Sequence, residues 1–301
     1  MNILQIKTSI QKEMWEYKKI FLWLPITIAA LIILAPIAAY LLSDSANGYW
    51  LGRWEQLAEA QNRAMFSKIF YSFVSALFAP FLLVATLVQL YYFIACLFDE
   101  RRDLSILFWR SLPVSDAMSV GVKLLVGALI LPGIFLLAAT ITLALFLLAG
   151  FVLCSVISIS HDISLWGLWA SSDIISNTLS MWVSLIPYSL WLFPVYAWLM
   201  LVSIYANKAP FLWAIVPVVL IILIESFIVQ YFNFDSSFFV NALTNYFAID
   251  NEAVKLYVDN KVTVSTIPMS IFADKVSFAG IAVGSVFLYL AYWFRANRSH
   301  S

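Results

Sequence analysis

Charged residues are scarce in this 301-residue chain: aspartate, glutamate, lysine and arginine make up 11% of it, whereas 63% is hydrophobic. A soluble globular domain is about a quarter charged and about half apolar. The mean hydropathy of +0.92 therefore indicates a polytopic membrane protein. The 17 basic residues are balanced by 17 acidic ones, and the lack of a basic surplus argues against nucleic-acid binding.

Residues that carry metal or nucleotide chemistry are also few. The two cysteines, Cys96 and Cys154, lie in different apolar stretches, near opposite ends of their predicted spans, so we expect no disulfide. The two histidines, His161 and His300, have no second metal ligand at a suitable spacing, so we expect no bound metal. None of the nine glycines precedes a lysine, which excludes a G-x-x-x-x-G-K-[ST] phosphate loop. We expect that the chain is not an enzyme and binds no cofactor.

Apolar stretches predict an all-α fold with six transmembrane helices in a single domain, residues 1–301. A helix needs about 20 residues to cross the hydrocarbon core. The stretches that are long enough are 21–42, 70–98, 117–155, 178–205, 209–231 and 276–294. The third is longer than one crossing requires and contains Leu131-Pro132-Gly133. We interpret it as one tilted helix with a proline kink, which is tolerated where neighbouring helices satisfy the freed carbonyl.

Basic residues are distributed unequally between the connecting segments. Ten lysines and arginines fall in four short segments, 1–20, 99–116, 206–208 and 295–301. Six fall in three longer segments, 43–69, 156–177 and 232–275. The positive-inside rule places the first group, with both termini, in the cytoplasm. The last outer segment is far longer than a usual loop, so we expect short external helices there.

The first 20 residues predict an amphipathic helix that lies at the membrane interface. Charged residues, including Lys12 and Glu13, occupy most of the surface between apolar residues that recur at steps of three and four. The apolar residues are Ile3, Ile6, Ile10, Met14 and Tyr17. Two interpretations remain open. The helix either anchors the topology with its positive charge or moves with the first span and touches a cytoplasmic partner.

Two features inside the predicted spans are candidate functional positions. Glu225 lies in the outer half of the fifth span, where an ionised group costs up to about 2.5–3.5 kcal/mol. It either lines a translocation path or is satisfied by a serine, a tyrosine or the lipid headgroups. Gly280 and Gly284 form a G-x-x-x-G pair, a spacing that lets helices approach closely. We expect this pair to serve packing within the subunit rather than a dimer contact.

A compact charged segment between the second and third spans predicts a cytoplasmic docking helix over residues 99–112. It opens with five charged residues, Asp99, Glu100, Arg101, Arg102 and Asp103. An apolar stripe then recurs at helical spacing, flanked by Arg102 and Arg110 and ended by Pro113. The stripe is Leu104, Leu107, Phe108 and Leu112. Ser115 and Asp116 can cap the next helix. The segment is either a basic loop that enforces topology or a helix for a groove in a soluble partner.

The same segment resembles the membrane subunit of ATP-binding-cassette (ABC) exporters of the type-2 permease family. That family has an E-R pair, a small residue, an apolar run and S-L-P-V-S, followed by a lysine at the start of the third helix. The matching residues here are Glu100, Arg101, Ser105, Ile106 to Trp109, Ser111, Leu112, Pro113, Val114, Ser115 and Lys123. The opening KEMWEYKKIFLWLP and the six-span layout with an amphipathic N-terminal helix are also similar to this family.

The resemblance implies a permease subunit in a bacterial inner membrane, with its energy source in other chains. Two copies of an ATPase subunit, which use ATP and Mg, would contact the coupling helix at 99–112. A second permease copy, or a related permease, would complete the path. The alternatives are an anchoring or regulatory subunit of an ATPase complex without transport, and an ion-coupled secondary transporter. The apolar span interiors favour an amphipathic, peptide-like or lipid-like cargo.

Overall fold

The computed structural model describes residues 3–42, 63–103, 115–161, 174–232, 236–248 and 270–297, which are helical and contain no strand. Five helices are long and apolar enough to cross a membrane, and a bent pair raises the number to six. The all-helical class and the membrane character agree with the sequence. Both cysteines, Cys96 and Cys154, are free, as predicted.

Eleven α-helices follow one another in the described parts of the chain. They are α1 (Ile3–Glu16), α2 (Leu24–Leu42), α3 (Arg63–Arg102), α4 (Asp116–Leu125), α5 (Leu131–His161), α6 (Ile174–Trp191), α7 (Phe193–Tyr205), α8 (Pro210–Phe232), α9 (Phe238–Phe247), α10 (Ser270–Lys275) and α11 (Phe278–Asn297). Two π-helical segments join neighbouring helices: Lys19–Trp23 leads into α2, and Val126–Ile130 connects α4 to α5. The helices α9 and α10 lie in the segment 232–275.

The core forms where α3 and α7 meet their neighbours. Helix α7 packs against α11 and α3, and α3 packs against α5. Phe93 of α3 stacks on Tyr196 of α7 with ring centroids 4.4 Å apart, and both side chains are buried. By contrast, Ala214 is the one buried residue described in α8. An apolar helix with so little burial is suited to contact with lipid.

The predicted proline kink takes the form of a π-helical segment just before Pro132. Because Pro132 has no amide hydrogen, it cannot bond the carbonyl of Ala128 in an α-helix or that of Gly127 in a π-helix. Side chains of two other helices donate instead: Gln89 Nε2 to the Gly127 oxygen at 2.9 Å and Ser189 Oγ to the Ala128 oxygen at 2.7 Å. Both freed carbonyls are therefore satisfied by neighbouring helices, as a proline inside a membrane requires.

The fourth predicted span, 178–205, is a bent pair of helices rather than one straight helix. Helices α6 and α7 meet at an angle of 55° after a break at Leu192. Pro194 lies in the first turn of α7, where its missing amide hydrogen is tolerated, but it cannot donate to the carbonyl of Leu190 and continue α6. The proline is therefore compatible with a new helix that begins at this point.

The glycine pair of α11 packs within the chain. A Cβ at Gly284 would lie 2.6 Å from Phe193 Cδ1 and 3.1 Å from Pro194 Cα, so the glycine allows the start of α7 to approach closely. A Cβ at Gly280 would lie 3.0 Å from Ser277 Oγ, a side chain of its own helical turn. The close approach between helices expected from the G-x-x-x-G spacing thus occurs at Gly284.

Candidate functional site

A group of buried ion pairs joins four helices at one end of the bundle. We call it the ion cluster, and its members are Lys12 and Glu13 of α1, Glu100 of α3, Asp116 and Lys123 of α4, and Arg295 of α11. The side chains of Glu13, Glu100, Lys123 and Arg295 are at most 4% exposed. Acidic and basic groups are equal in number, so the formal charges of the ion cluster cancel.

Helical spacing brings these members together. Glu13 lies three residues after Ile10 and four before Tyr17, on the face of α1 that packs against the core. Asp116 and Lys123 are seven residues apart, which places them on one face of α4. The prediction that Glu13 belongs to the polar outer surface of the N-terminal helix is wrong, because this residue is 3% exposed.

Glu100 is the centre of the ion cluster. Its Oε1 accepts a hydrogen bond from Lys12 Nζ at 2.8 Å and lies 3.2 Å from Lys123 Nζ. Its Oε2 accepts from Arg295 Nη1 at 2.8 Å. A buried carboxylate is costly unless it is paired and hydrogen-bonded. The three cations around Glu100 offset this cost.

Lys123 pairs with a second buried carboxylate, that of Glu13. The Lys123 Nζ lies 2.9 and 3.0 Å from the two Glu13 oxygens, and Tyr92 Oη donates to Glu13 at 3.0 Å. On the other side, Arg295 Nε donates to Asp116 Oδ1 at 3.0 Å. The ion cluster therefore fastens α1, α3, α4 and α11 to one another.

Two titratable groups of the N-terminal segment lie at the edge of the ion cluster. Burial and the charge of Glu13 raise the pKa of the Glu16 carboxyl above its ordinary value. Burial also raises the pKa of the Tyr17 hydroxyl, and the Tyr17 ring meets the Tyr92 ring edge-on at 5.1 Å. Tyr17 is 8% exposed and packs on Tyr92, so the residue that follows α1 is held against the bundle, whereas the Glu16 side chain remains 38% exposed.

Arg101 connects the end of α3 to the turn that follows α7. Its guanidinium donates to the carbonyl of Ile204 at 2.7 Å and to that of Ala206. Ser203 of α7 accepts hydrogen bonds from the backbone of α3 near the same point. The adjacent residues Glu100 and Arg101 thus hold the end of α3 to different neighbours.

The predicted docking helix is described only at its start. Asp99 to Arg102 continue α3 instead of beginning a separate helix. Glu100 and Arg101 bind within the chain, whereas the side chains of Arg102 and Asp103 are both 59% exposed and pair with each other at 2.9 Å. The remaining predicted docking residues lie outside the described residues, namely Leu104, Leu107, Phe108, Arg110, Leu112 and Pro113.

Glu225 of α8 reaches the N-terminus of α9. Its two carboxylate oxygens accept from the amides of Phe239 at 2.6 Å and Val240 at 2.9 Å. The first amides of a helix lack partners within the helix and favour a negative charge. Glu225 therefore caps α9, a backbone contact that differs from the serine, tyrosine or headgroup partners expected from the sequence.

A cavity of about 260 Å³ lies between α3, α5 and α6, with Phe272 of α10 in its wall. Gln89, in the same wall, precedes Glu100 by eleven residues, so the cavity lies about 16 Å along α3 from the ion cluster. No motif in the sequence points to it, because its wall is assembled from separate helices. Within the described ranges, no group of three His, Cys, Asp or Glu side chains could hold a metal ion.

The ion cluster and the cavity are two candidate functional sites within the described part of this largely apolar bundle. No family model, curated protein or solved structure matches this chain. What the fold itself defines is the class: an all-helical protein with five or six helices suited to crossing a membrane.

Proposed function

We propose that this chain is the permease subunit of a bacterial ABC exporter, driven by ATP hydrolysis in separate ATPase subunits. The observation that supports this most is the position of the family-like charged segment. It starts at the end of α3, a helix of 40 residues, where Glu100 and Arg101 fasten that helix to its neighbours. A segment that receives force from a partner needs such a connection to the membrane spans.

The contacts at the end of α3 offer a route for this force. Glu100 connects α3 with α1, α4 and α11, and Arg101 connects it with the end of α7. Energetic coupling is carried by packed elements and ion-pair networks that move together. A displacement of residues 104–112 by an ATPase would therefore shift several helices as a unit.

The proposal assigns binding and movement to this chain, and chemistry to its partners. Two ATPase copies would hold ATP and Mg on the cytoplasmic side of the inner membrane. Both termini of this chain would lie on the same side. A second permease copy, or a related one, would complete the path. The cargo would be amphipathic, peptide-like or lipid-like, in keeping with the apolar spans.

The first expected result concerns ATP turnover. The purified chain in lipid nanodiscs should release no phosphate from ATP, because it lacks a phosphate loop. Co-expression with a soluble ABC ATPase from the same source should yield a complex that co-purifies through a tag on the permease and hydrolyses ATP. Robust ATP turnover by the isolated chain would contradict the proposal.

The second expected result concerns the apolar stripe of the docking helix. Leu107→Asp or Phe108→Asp should weaken ATPase association at least about tenfold, since a charge would enter an apolar groove without a partner. Ile106→Asp is the matched control, because helical spacing places it on the opposite side of the same helix. The measurement is the amount of ATPase recovered with the tagged permease.

The same experiment separates docking from a general loss of folding. All variants should enter the membrane and elute as monodisperse particles on gel filtration. Equal ATPase recovery with Leu107→Asp, Phe108→Asp and Ile106→Asp, whether high or low, would rule out the docking role of the stripe.

A further inference from the structure

The cavity between α3, α5 and α6 has the composition of a small-molecule site. Such sites are mostly apolar, have a few converging polar groups and measure about 300–1,000 Å³; this cavity measures about 260 Å³. The described residues of its wall include no charged side chain. We propose that it binds a neutral amphiphile whose apolar body fills the cavity and whose hydroxyl donates a hydrogen bond to the polar group on its wall. This site goes beyond the proposed function and does not depend on it.

The polar group consists of Thr86 and Gln89 of α3 and Tyr188 of α6. Tyr188 Oη lies 3.1 Å from Thr86 Oγ1 and 3.2 Å from Gln89 Oε1. The amide of Gln89 is oriented by Gly127, whose carbonyl accepts from Gln89 Nε2 at 2.9 Å. Because Gln89 is 1% exposed, the group is built into the interior of the bundle.

The hydroxyl hydrogens of this polar group are directed at acceptors of the chain itself. Tyr188 Oη donates to the Gln89 amide oxygen, and Thr86 Oγ1 lies 2.9 Å from the carbonyl of Leu82, which can only accept. Each hydroxyl oxygen also has acceptor lone pairs, and the contact between Thr86 Oγ1 and Tyr188 Oη uses only one of them. A ligand hydroxyl can therefore donate a hydrogen bond to this group.

The wall also selects against charge. A ligand ammonium would find no carboxylate among the described lining residues, and a ligand carboxylate would find no cation there. A buried charge without a partner is far more costly than a buried hydroxyl that is hydrogen-bonded. The favoured ligand is therefore neutral.

The ligand would enter from the hydrocarbon phase. Leu82 lines the cavity and is 42% exposed, and the adjacent Leu83 is 62% exposed, so Leu82 lies between the cavity and the apolar outer surface of α3. On another side the ring of Phe272 closes the wall, edge-on to Tyr188 with centroids 5.7 Å apart. Membrane lipids and apolar cargo both share this route and this chemistry.

Photolabelling of the full chain in lipid nanodiscs tests the site. The probes are a ten-carbon primary alcohol that carries a diazirine and the diazirine alkane of equal length, which lacks the hydroxyl. The alcohol should label cavity residues such as Leu136 and Met181 roughly 2- to 10-fold more than the alkane does, the effect of one neutral hydrogen bond. Both probes should label the outward-facing Leu83 and Leu87 equally.

Two variants make the test decisive. Thr86→Val keeps the side-chain shape but removes one hydroxyl, so the alcohol should lose its advantage while the alkane still labels Leu136. Met181→Trp should fill the cavity and abolish labelling of Leu136 by both probes. Gel filtration confirms that each variant is folded.

The proposal is overturned if the alkane labels the cavity as strongly as the alcohol, if Thr86→Val keeps the preference, or if labelling is confined to Leu83 and Leu87. These readouts need no ATPase, so they are independent of the proposed function.

Discussion

Replacement of Lys123 by methionine is expected to destabilise the folded chain by about 3–5 kcal/mol, the cost of breaking a buried ion pair. Methionine has a similar length, so the loss is one of charge rather than of volume. The Lys123 Nζ lies 2.9 Å from Glu13 and 3.2 Å from Glu100, and its removal leaves both buried carboxylates short of a cation. The measurement is the apparent melting temperature in detergent, followed by gel filtration after heating.

An exposed lysine supplies the matched control. Lys208→Met removes the same charge from the turn before α8, where the side chain is exposed, and should leave the melting temperature nearly unchanged. Glu13→Gln introduced into Lys123→Met should recover part of the loss, because the second change removes the uncompensated charge. Equal melting temperatures for Lys123→Met and Lys208→Met would show that the ion cluster contributes nothing to stability.

Replacement of Gly127 by alanine is expected to destabilise the chain by about 1–3 kcal/mol, the usual cost of overpacking a core. The added Cβ would lie 2.5 Å from Phe93 Cζ and 2.8 Å from Tyr92 Cδ1. Both rings are fully buried, and Tyr92 is further held by its hydrogen bond to Glu13. Neither ring can move aside without disturbing the core.

Gly121→Ala is the matched control, because it adds the same methyl group where no neighbouring atom is close. A Cβ at Gly121 of α4 meets nothing within 4 Å, so Gly121→Ala should be neutral or stabilise the helix by up to about 1 kcal/mol. The two alanine variants should therefore shift the melting temperature in different directions or by clearly different amounts. A Gly127→Ala chain as stable as Gly121→Ala would mean that the π-helical segment does not pack against α3 as described.

Gly127 also connects the ion cluster with the cavity. Its carbonyl accepts from Gln89, which belongs to the polar group of the cavity wall. Its missing side chain leaves room for Tyr92, which donates to Glu13 of the ion cluster. Because Gln89 and Tyr92 lie three residues apart on the same face of α3, a change at Gly127 is expected to disturb both features.

Local patterns in the sequence predicted most of the secondary structure. The apolar stretches, the break at Pro132 and the role of Ser115 are properties of short segments, and Ser115 does cap α4 by accepting from the Met118 amide at 3.3 Å. The bend at Pro194 was missed. A proline among apolar residues is compatible with either a straight span or a broken one, because Pro80 and Pro217 lie inside unbroken helices of this chain.

The ion cluster illustrates what lies beyond local patterns. An ionisable residue near the end of an apolar span needs a partner of opposite charge or a hydrogen-bonding group. Which residue becomes that partner depends on which helices pack side by side. Glu100 and Arg295 are 195 residues apart in the chain, and their atoms are 2.8 Å apart in the fold. From the sequence Glu100 belongs to a docking surface, whereas the fold turns it inward.

By itself, the sequence determined that this chain is an all-helical protein suited to a membrane, because hydropathy and helical period are properties of consecutive residues. Only the tertiary structure decided which charges pair, which carboxylate caps α9 and where a cavity remains. Those outcomes depend on distances between residues of different helices, which local sequence patterns do not fix. The physical reason is that burial of a charge or of a hydroxyl is tolerated only where a partner lies within hydrogen-bond distance. The packing of the helices determines which side chains are that close.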